Sequence, residues 1–230
     1  MCGRFQASSS PAELARWFET TGPVPNLQQR YNAAPGQHLP IVLRGAETGK
    51  RRLVALRWGL IPAWAKDAKI GYSTINAMAE TVAIKPAFRD AFARRRCLVP
   101  ADGFYEWKQL DADAKTKQPY RFIMRDGSPM AFAGLWEQWS DPASGETLRT
   151  FTIITGEPNA LCAPIHNRMP VILDPADFPP WLGETPATAD ELRALLRPFP
   201  AERMEAHVIG PRISNVKNDD AALIERLNSV

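Results

Sequence analysis

The sequence predicts an α+β fold: a single domain over residues 1–230 with a mainly antiparallel, barrel-like β core flanked by short helices. Three observations predict it. Seven short runs rich in β-branched and aromatic residues recur along the chain, separated by Pro, Gly, Asp and Ser. Two helix-start signals lie far apart, and no repeating strand–helix unit joins the runs. The length of 230 residues, 45% of them hydrophobic, suits one substantial core, and 21 prolines imply many fixed turns.

The elements follow in order. Ser10-Pro11-Ala12-Glu13 reads as a capping box with proline at the first helical position, and Leu14, Trp17 and Phe18 continue at helical spacing. The β runs are PIVLR (40–44), RLVALRW (52–58), RCLVP (96–100), YRFIMR (120–125), MAFAGLW (130–136), LRTFTIIT (148–155) and MPVIL (169–173). DADAKTKQ (111–118) reads as an exposed hairpin loop. Thr188 to Glu191 repeats the capping signal before Leu192, Leu195 and Leu196. The sequence shows no internal repeat, low-complexity tract or linker.

Composition excludes several classes of function. No apolar run approaches the roughly 20 residues of a membrane span. MCGRFQASSS lacks the apolar stretch of a signal peptide, so a protein free of membranes and retained where it is made is expected. Cys2, Cys97 and Cys162 are odd in number and form no CxxC pair, which argues against a disulfide framework and a zinc site and for a reducing cytoplasm. No metal and no cofactor are expected. With 28 basic and 25 acidic residues, net charge alone predicts no nucleic-acid partner, and an anionic ligand requires a local cluster.

The residues that carry chemistry lie in separate stretches. Cys2, once Met1 is removed, holds an α-amine and a thiol on adjacent carbons. An α-amine titrates near 7.7 to 8.0, so at neutral pH a useful fraction of it is nucleophilic. It can condense with an aldehyde, and the neighbouring thiol can then close a five-membered thiazolidine. Equally, Cys2 fits as a small residue under the sheet. In INAMAET (75–81), Asn76 falls where a strand hands over to a helix, suited to orienting an amine or to capping that helix. In VPADGFYEWK (99–108), Glu106 stands among Phe104, Tyr105 and Trp107, where desolvation raises a carboxyl pKa. Strand alternation offers the other reading, with Glu106 facing water.

In APIHNRMPVIL (163–173), His166 precedes Arg168 by two residues: an imidazole for proton transfer beside a guanidinium for a phosphate, or an ordinary loop before a strand. His38 and His207 read as structural. RWGLIPAWAKD (57–67) interleaves aromatic and basic residues, with Trp58 as a core residue and Trp64 as a surface candidate for base stacking. The arginines at 94–96, with Arg89, read as a solvated helix end.

Taken together with RYNAAPGQ (30–37) and SNVKN (214–218), these motifs make the chain resemble the SRAP domain family over nearly its whole length. The members of that family include proteins that shield abasic sites in single-stranded DNA. The resemblance implies an α+β fold with a compact β-rich core. It implies that Cys2 is the nucleophile of a thiazolidine crosslink with a ring-opened abasic deoxyribose. Glu106 would assist ring opening and proton transfer, Asn76 would position the cysteine amine and the sugar, and His166 would shuttle protons. Arg4 and Arg168 would clamp phosphates, and Thr155 would line the site.

One departure is visible: the family usually reads Asn-Ala-Arg where this chain reads Asn76-Ala77-Met78, so a phosphate-contacting cation is missing. The expected partner is single-stranded DNA containing abasic sites, bound by a monomer. AP lyase activity, an N-terminal-nucleophile or cysteine peptidase with autoproteolysis, and a non-catalytic single-strand binder are the other activities considered.

Overall fold

The computed structural model describes residues 2–111 and 116–227. Its strands are β1 (Phe5–Ala7), β2 (Arg30–Ala33), β3 (His38–Arg44), β4 (Arg51–Trp58), β5 (Asn76–Met78), β6 (Arg96–Ala101), β7 (Gly103–Gln109), β8 (Lys117–Met124), β9 (Met130–Ser140), β10 (Thr147–Gly156), β11 (Met169–Pro170) and β12 (Met204–Val208). Four short α-helices flank them: α1 (Pro11–Trp17), α2 (Arg89–Arg94), α3 (Phe178–Leu182) and α4 (Ala189–Ala194).

Strands β10, β4, β3, β6 and β9 close into a barrel through the β9–β10 pairing. All neighbours in it are antiparallel except β10 and β4, which run parallel at Thr150↔Arg57, so the barrel is mixed. The second sheet, in the order β12-β8-β7-β1-β2, is antiparallel throughout. The two share one apolar cluster: Phe5, Phe104 and Phe122 of the sheet meet Trp58, Phe132 and Phe151 of the barrel. Phe104 stacks on Phe122 at 4.6 Å, and Phe5 meets the edge of Trp58 at 5.1 Å. Burying each of these rings stabilises the fold by about 1.5–3 kcal/mol.

The local signals act as their chemistry requires. Ser10 accepts the Glu13 N–H to cap α1, with Leu14 and Phe18 buried beneath it; Thr188 and Glu191 do the same for α4 above Leu192. Gly59 has a φ of +117°, and a Cβ there would stand 2.6 Å from the Gly71 carbonyl oxygen. Only glycine fits this crossing. It lets the buried Trp58 ring donate to the Ile75 carbonyl at 2.9 Å, immediately before β5.

Three expectations need correction. The segment after Asn76 does not become a helix. β5 continues to Met78, the Ala79 N–H donates to the Thr155 carbonyl, and turns follow until α2 begins at Arg89. The β-branched Thr81, Val82 and Ile84 resist helix formation, and Pro86 restricts Lys85 before it. The arginines at 94–96 are not uniformly solvated: Arg95 pairs with Glu137 at 2.5 Å, and Arg96 donates to the Trp181 and Phe92 carbonyls. The run at 169–173 is strand only at Met169–Pro170, with Ile172 in an isolated bridge to Phe132. The loop expected at 111–118 joins β7 to β8; residues 112–115 lie outside the described residues, and the Asp111 carboxylate accepts the Thr116 N–H across the gap. Among the described residues, no helix is long and apolar enough to cross a membrane.

Candidate active site

The site forms where the amino-terminal stretch of the sheet meets the edge of the barrel. β1 pairs with β7 at Phe5↔Phe104, and the Tyr105 N–H donates to the Arg4 carbonyl. Continuing this register brings Gly3 opposite Glu106, so residue 2 runs alongside the Glu106 end of β7. From the barrel, β10 carries β5 in parallel at Ile153↔Asn76 and β11 in antiparallel at Thr155↔Pro170. Strand β10 therefore fixes both Asn76 and the turn that ends at His166 and Arg168.

These pairings bring Cys2, Asn76, Glu106 and His166 together. Asn76 Nδ2 donates to the Cys2 carbonyl at 2.9 Å, which fixes the backbone at Cys2. Asn76 Oδ1 is buried and has no hydrogen-bond partner among the described residues. The Cys2 side chain is fully buried, with Sγ 3.8 Å from the Arg4 carbonyl oxygen. Burial pushes its thiol pKa well above the ordinary value, and the nearby Glu106 charge adds to the effect. Met1 lies outside the described residues.

Glu106 lies 3.7 Å from His166 Nε2, and its side chain is only 4% exposed. Both faces of β7 are buried at this point: Phe104 packs into the main core and Tyr105 into a separate cluster with Ile209, Ile213 and Leu223. The reading in which Glu106 faces water is thereby excluded. Desolvation raises its carboxyl pKa to about 8, so at neutral pH most of it holds a proton. His166 is shifted the other way, chiefly by burial, and is mostly neutral at pH 7. Its Nδ1 lies 3.1 Å from both the Arg168 N–H and the Arg168 carbonyl oxygen, so the ring sits in a backbone clamp. When Nδ1 accepts the Arg168 N–H, Nε2 carries the proton toward Glu106; when Nδ1 donates to the carbonyl, Nε2 can accept from the Glu106 acid. Glu106 and His166 line a cavity of about 500 Å³ together with Trp107, Lys117 and Ser214.

The remaining candidates stand at varied distances from this chemistry. Thr155 is fully buried; its carbonyl accepts from Ala79 and Arg168, and its hydroxyl has no partner among the described residues. Arg168 is held by Glu80 and by the Thr155 carbonyl. Arg4 donates to Asn32 Oδ1 at 2.8 Å and to the Ile213 and Ser214 carbonyls, which spends much of its guanidinium on the protein itself. Trp64 is 58% exposed, and its indole N–H reaches the Pro86 carbonyl; it does not line the cavity. Met78 shares the Asn76 side of β5 and is exposed. Among the described residues, no group of three or more His, Cys, Asp or Glu side chains is placed to hold a metal ion.

Sequence reasoning missed several members of this site. Cys162 is buried in the same core cluster as Cys2, and burial raises its thiol to about 12 with Glu106 contributing. Asn32, fully buried, donates to the Ile213, Asn215 and Asn218 carbonyls and accepts from Arg4. It thereby explains why RYNAAPGQ and SNVKN occur together: one segment ties down the other. A buried asparagine flanked by aromatic and small residues was the only local sign.

Comparison with known proteins agrees with the architecture. The chain is 44% identical over 227 residues to the abasic site processing protein YoqW of Bacillus subtilis (strain 168), covering 98% of this chain and 99% of that protein. It is 31% identical to the abasic site processing protein HMCES of Xenopus tropicalis, covering 95% of this chain and 76% of that one. The fold matches a crystal structure of a Bacteroides thetaiotaomicron protein with a TM-score of 0.89 at 29% identity, covering 99% of this chain and all of that one. The family model for SOS response associated peptidase (SRAP) matches residues 1–216. The chain belongs to the SRAP family.

Proposed function

We propose that this protein captures abasic sites in single-stranded DNA by forming a thiazolidine between Cys2 and the ring-opened deoxyribose, after removal of Met1. The observation that carries the reading is the convergence of two pairs: Asn76 bonded to the buried Cys2, and Glu106 beside His166 lining the cavity, with the Glu106 charge felt at the Cys2 thiol. The names of the relatives, abasic site processing proteins, support the substrate class.

The chemistry follows from the protonation states. The Cys2 α-amine, with Asn76 Oδ1 as its acceptor, adds to the C1′ aldehyde to give a carbinolamine. Glu106, protonated near neutral pH, gives its proton to the departing hydroxyl, and water leaves as the C=N bond forms. The thiol then adds to C1′, closing the ring with a C–S bond, and its proton returns to the Glu106 carboxylate. A buried thiol that stays protonated is tolerated because the amine acts first and the second step is intramolecular. His166, 3.7 Å from Glu106, relays the proton to and from solvent. Single-stranded DNA suits the site because the sugar must leave the stack to reach a buried nucleophile.

The test incubates the protein with single-stranded DNA bearing one abasic site. A species that survives denaturing electrophoresis is expected, and Cys2→Ala should abolish it. No crosslink, or one undiminished by Cys2→Ala, refutes the reading. The raised thiol pKa disfavours a thiolate peptidase, for which turnover of a peptide without DNA would be the sign. A purely binding role predicts that Cys2→Ala changes nothing.

A further inference from the structure

Arg168 is paired face to face with a carboxylate. Its two terminal nitrogens donate to Glu80 Oε1 at 2.6 Å and Oε2 at 2.9 Å, and one of them also donates to the Thr155 carbonyl at 2.7 Å. This two-pronged edge of the guanidinium is the one that a phosphate would use. The Arg168 side chain is 15% exposed and held from the protein side, whereas Glu80 is 45% exposed and lies outermost. Through its own backbone, Arg168 also clamps His166 Nδ1, which ties the residue to a side chain that lines the cavity. Two residues before Glu80, Met78 supplies no charge. The rim formed by residues 78, 80 and 168 therefore carries one cation already balanced by one anion.

We propose that Glu80 is a gate on phosphate binding: the strand's phosphate must displace this carboxylate from Arg168, so Glu80 is a specificity-determining residue that weakens DNA binding and hides one phosphate contact from its salt dependence. The inference rests on the single-strand reading given above. Because Arg168 keeps its bond to the Thr155 carbonyl when Glu80 swings out, the guanidinium stays in place to receive the phosphate. The exposed position of Glu80 leaves its carboxylate free to rotate into solvent.

The test uses fluorescence anisotropy with full-length protein and a single strand carrying a tetrahydrofuran abasic analogue, which cannot open to an aldehyde and so separates binding from crosslinking. Measured between about 50 and 200 mM salt, Glu80→Gln should tighten binding roughly 3- to 10-fold at the low end and steepen the slope of log K against log[salt] by about 0.7. Glu80→Ala should do the same. In an Arg168→Gln background, Glu80→Gln should have no effect. Unchanged or weaker binding by both Glu80 variants, each folded by its thermal transition, overturns the gate. So does an equal gain in the Arg168→Gln background, which would mark a general charge effect. A wild-type protein that binds and crosslinks while the Glu80 variants behave identically to it defeats the gate alone; a wild type that does neither defeats the single-strand reading as well.

Discussion

Replacing Glu106 with glutamine preserves shape and removes a titration, so it isolates the electrostatic cost of keeping this carboxyl buried. Its pKa rises from 4.5 to about 8 in the folded protein because of desolvation. A raised carboxyl pKa means that the folded state binds the proton more tightly than the unfolded chain, so stability is greatest below the unfolded pKa and falls as pH rises toward the folded one. Each unit of difference corresponds to about 1.4 kcal/mol, and integrating both titrations from pH 5 to pH 9 gives a loss of about 4 kcal/mol. Access of water to Glu106 from the cavity lowers this to about 2–4 kcal/mol. Urea unfolding of wild type and Glu106→Gln across this range is the assay. The difference in stability should grow in favour of the variant by that amount, most of it between pH 5 and pH 8. The His166 shift, which opposes folding only as pH falls below its ordinary value, is present in both proteins. Parallel pH profiles would refute a desolvated, proton-holding Glu106 and with it the acid step assigned to this residue.

Three further outcomes follow from the geometry. Met78→Arg should strengthen single-strand binding and raise the salt slope by about 0.7, read by the same anisotropy titration; equal affinity and slope would show that position 78 meets no phosphate. Gly59→Ala should destabilise by more than about 3 kcal/mol in denaturant unfolding, since its Cβ meets the Gly71 carbonyl at a left-handed φ; a loss below about 1 kcal/mol would contradict that crossing. Arg4→Met should cost about 2–3 kcal/mol of stability by releasing Asn32 and the Ile213 and Ser214 carbonyls. If instead stability holds and only DNA affinity falls, Arg4 is a phosphate clamp rather than a staple.

Much of the β core was legible because its runs were long and alternated or were apolar throughout: the stretches at 40–44, 52–58 and 130–136 all lie inside observed strands. What escaped were elements whose existence depends on a distant partner. β1 and β5 are each three residues long and are strands only because β7 and β10 lie beside them. The parallel contact of β10 with β4 leaves no local trace, since pairing direction is not written in a strand's own pattern. For the site, Cys2, Asn76, Glu106 and His166 were each ambiguous alone, and only their motifs in order pointed to one another. Glu80 carries no local signature, because an exposed glutamate in a turn resembles any other, and its meaning comes from the arginine 88 residues away.

The staple between the chain's ends also sets a timetable. Arg4 and Asn32 reach partners at residues 213–218, near the far end of the chain. At roughly 5–20 residues per second, a ribosome needs about 10–40 s to make the intervening stretch. During that interval Arg4 and Asn32 lack the carbonyls that later hold them, and the amino-terminal stretch has only its pairing with β2 and β7 to fix it. The removal of Met1 proposed above would fall most easily in this window, before the staple closes over a stretch whose thiol is buried in the finished protein.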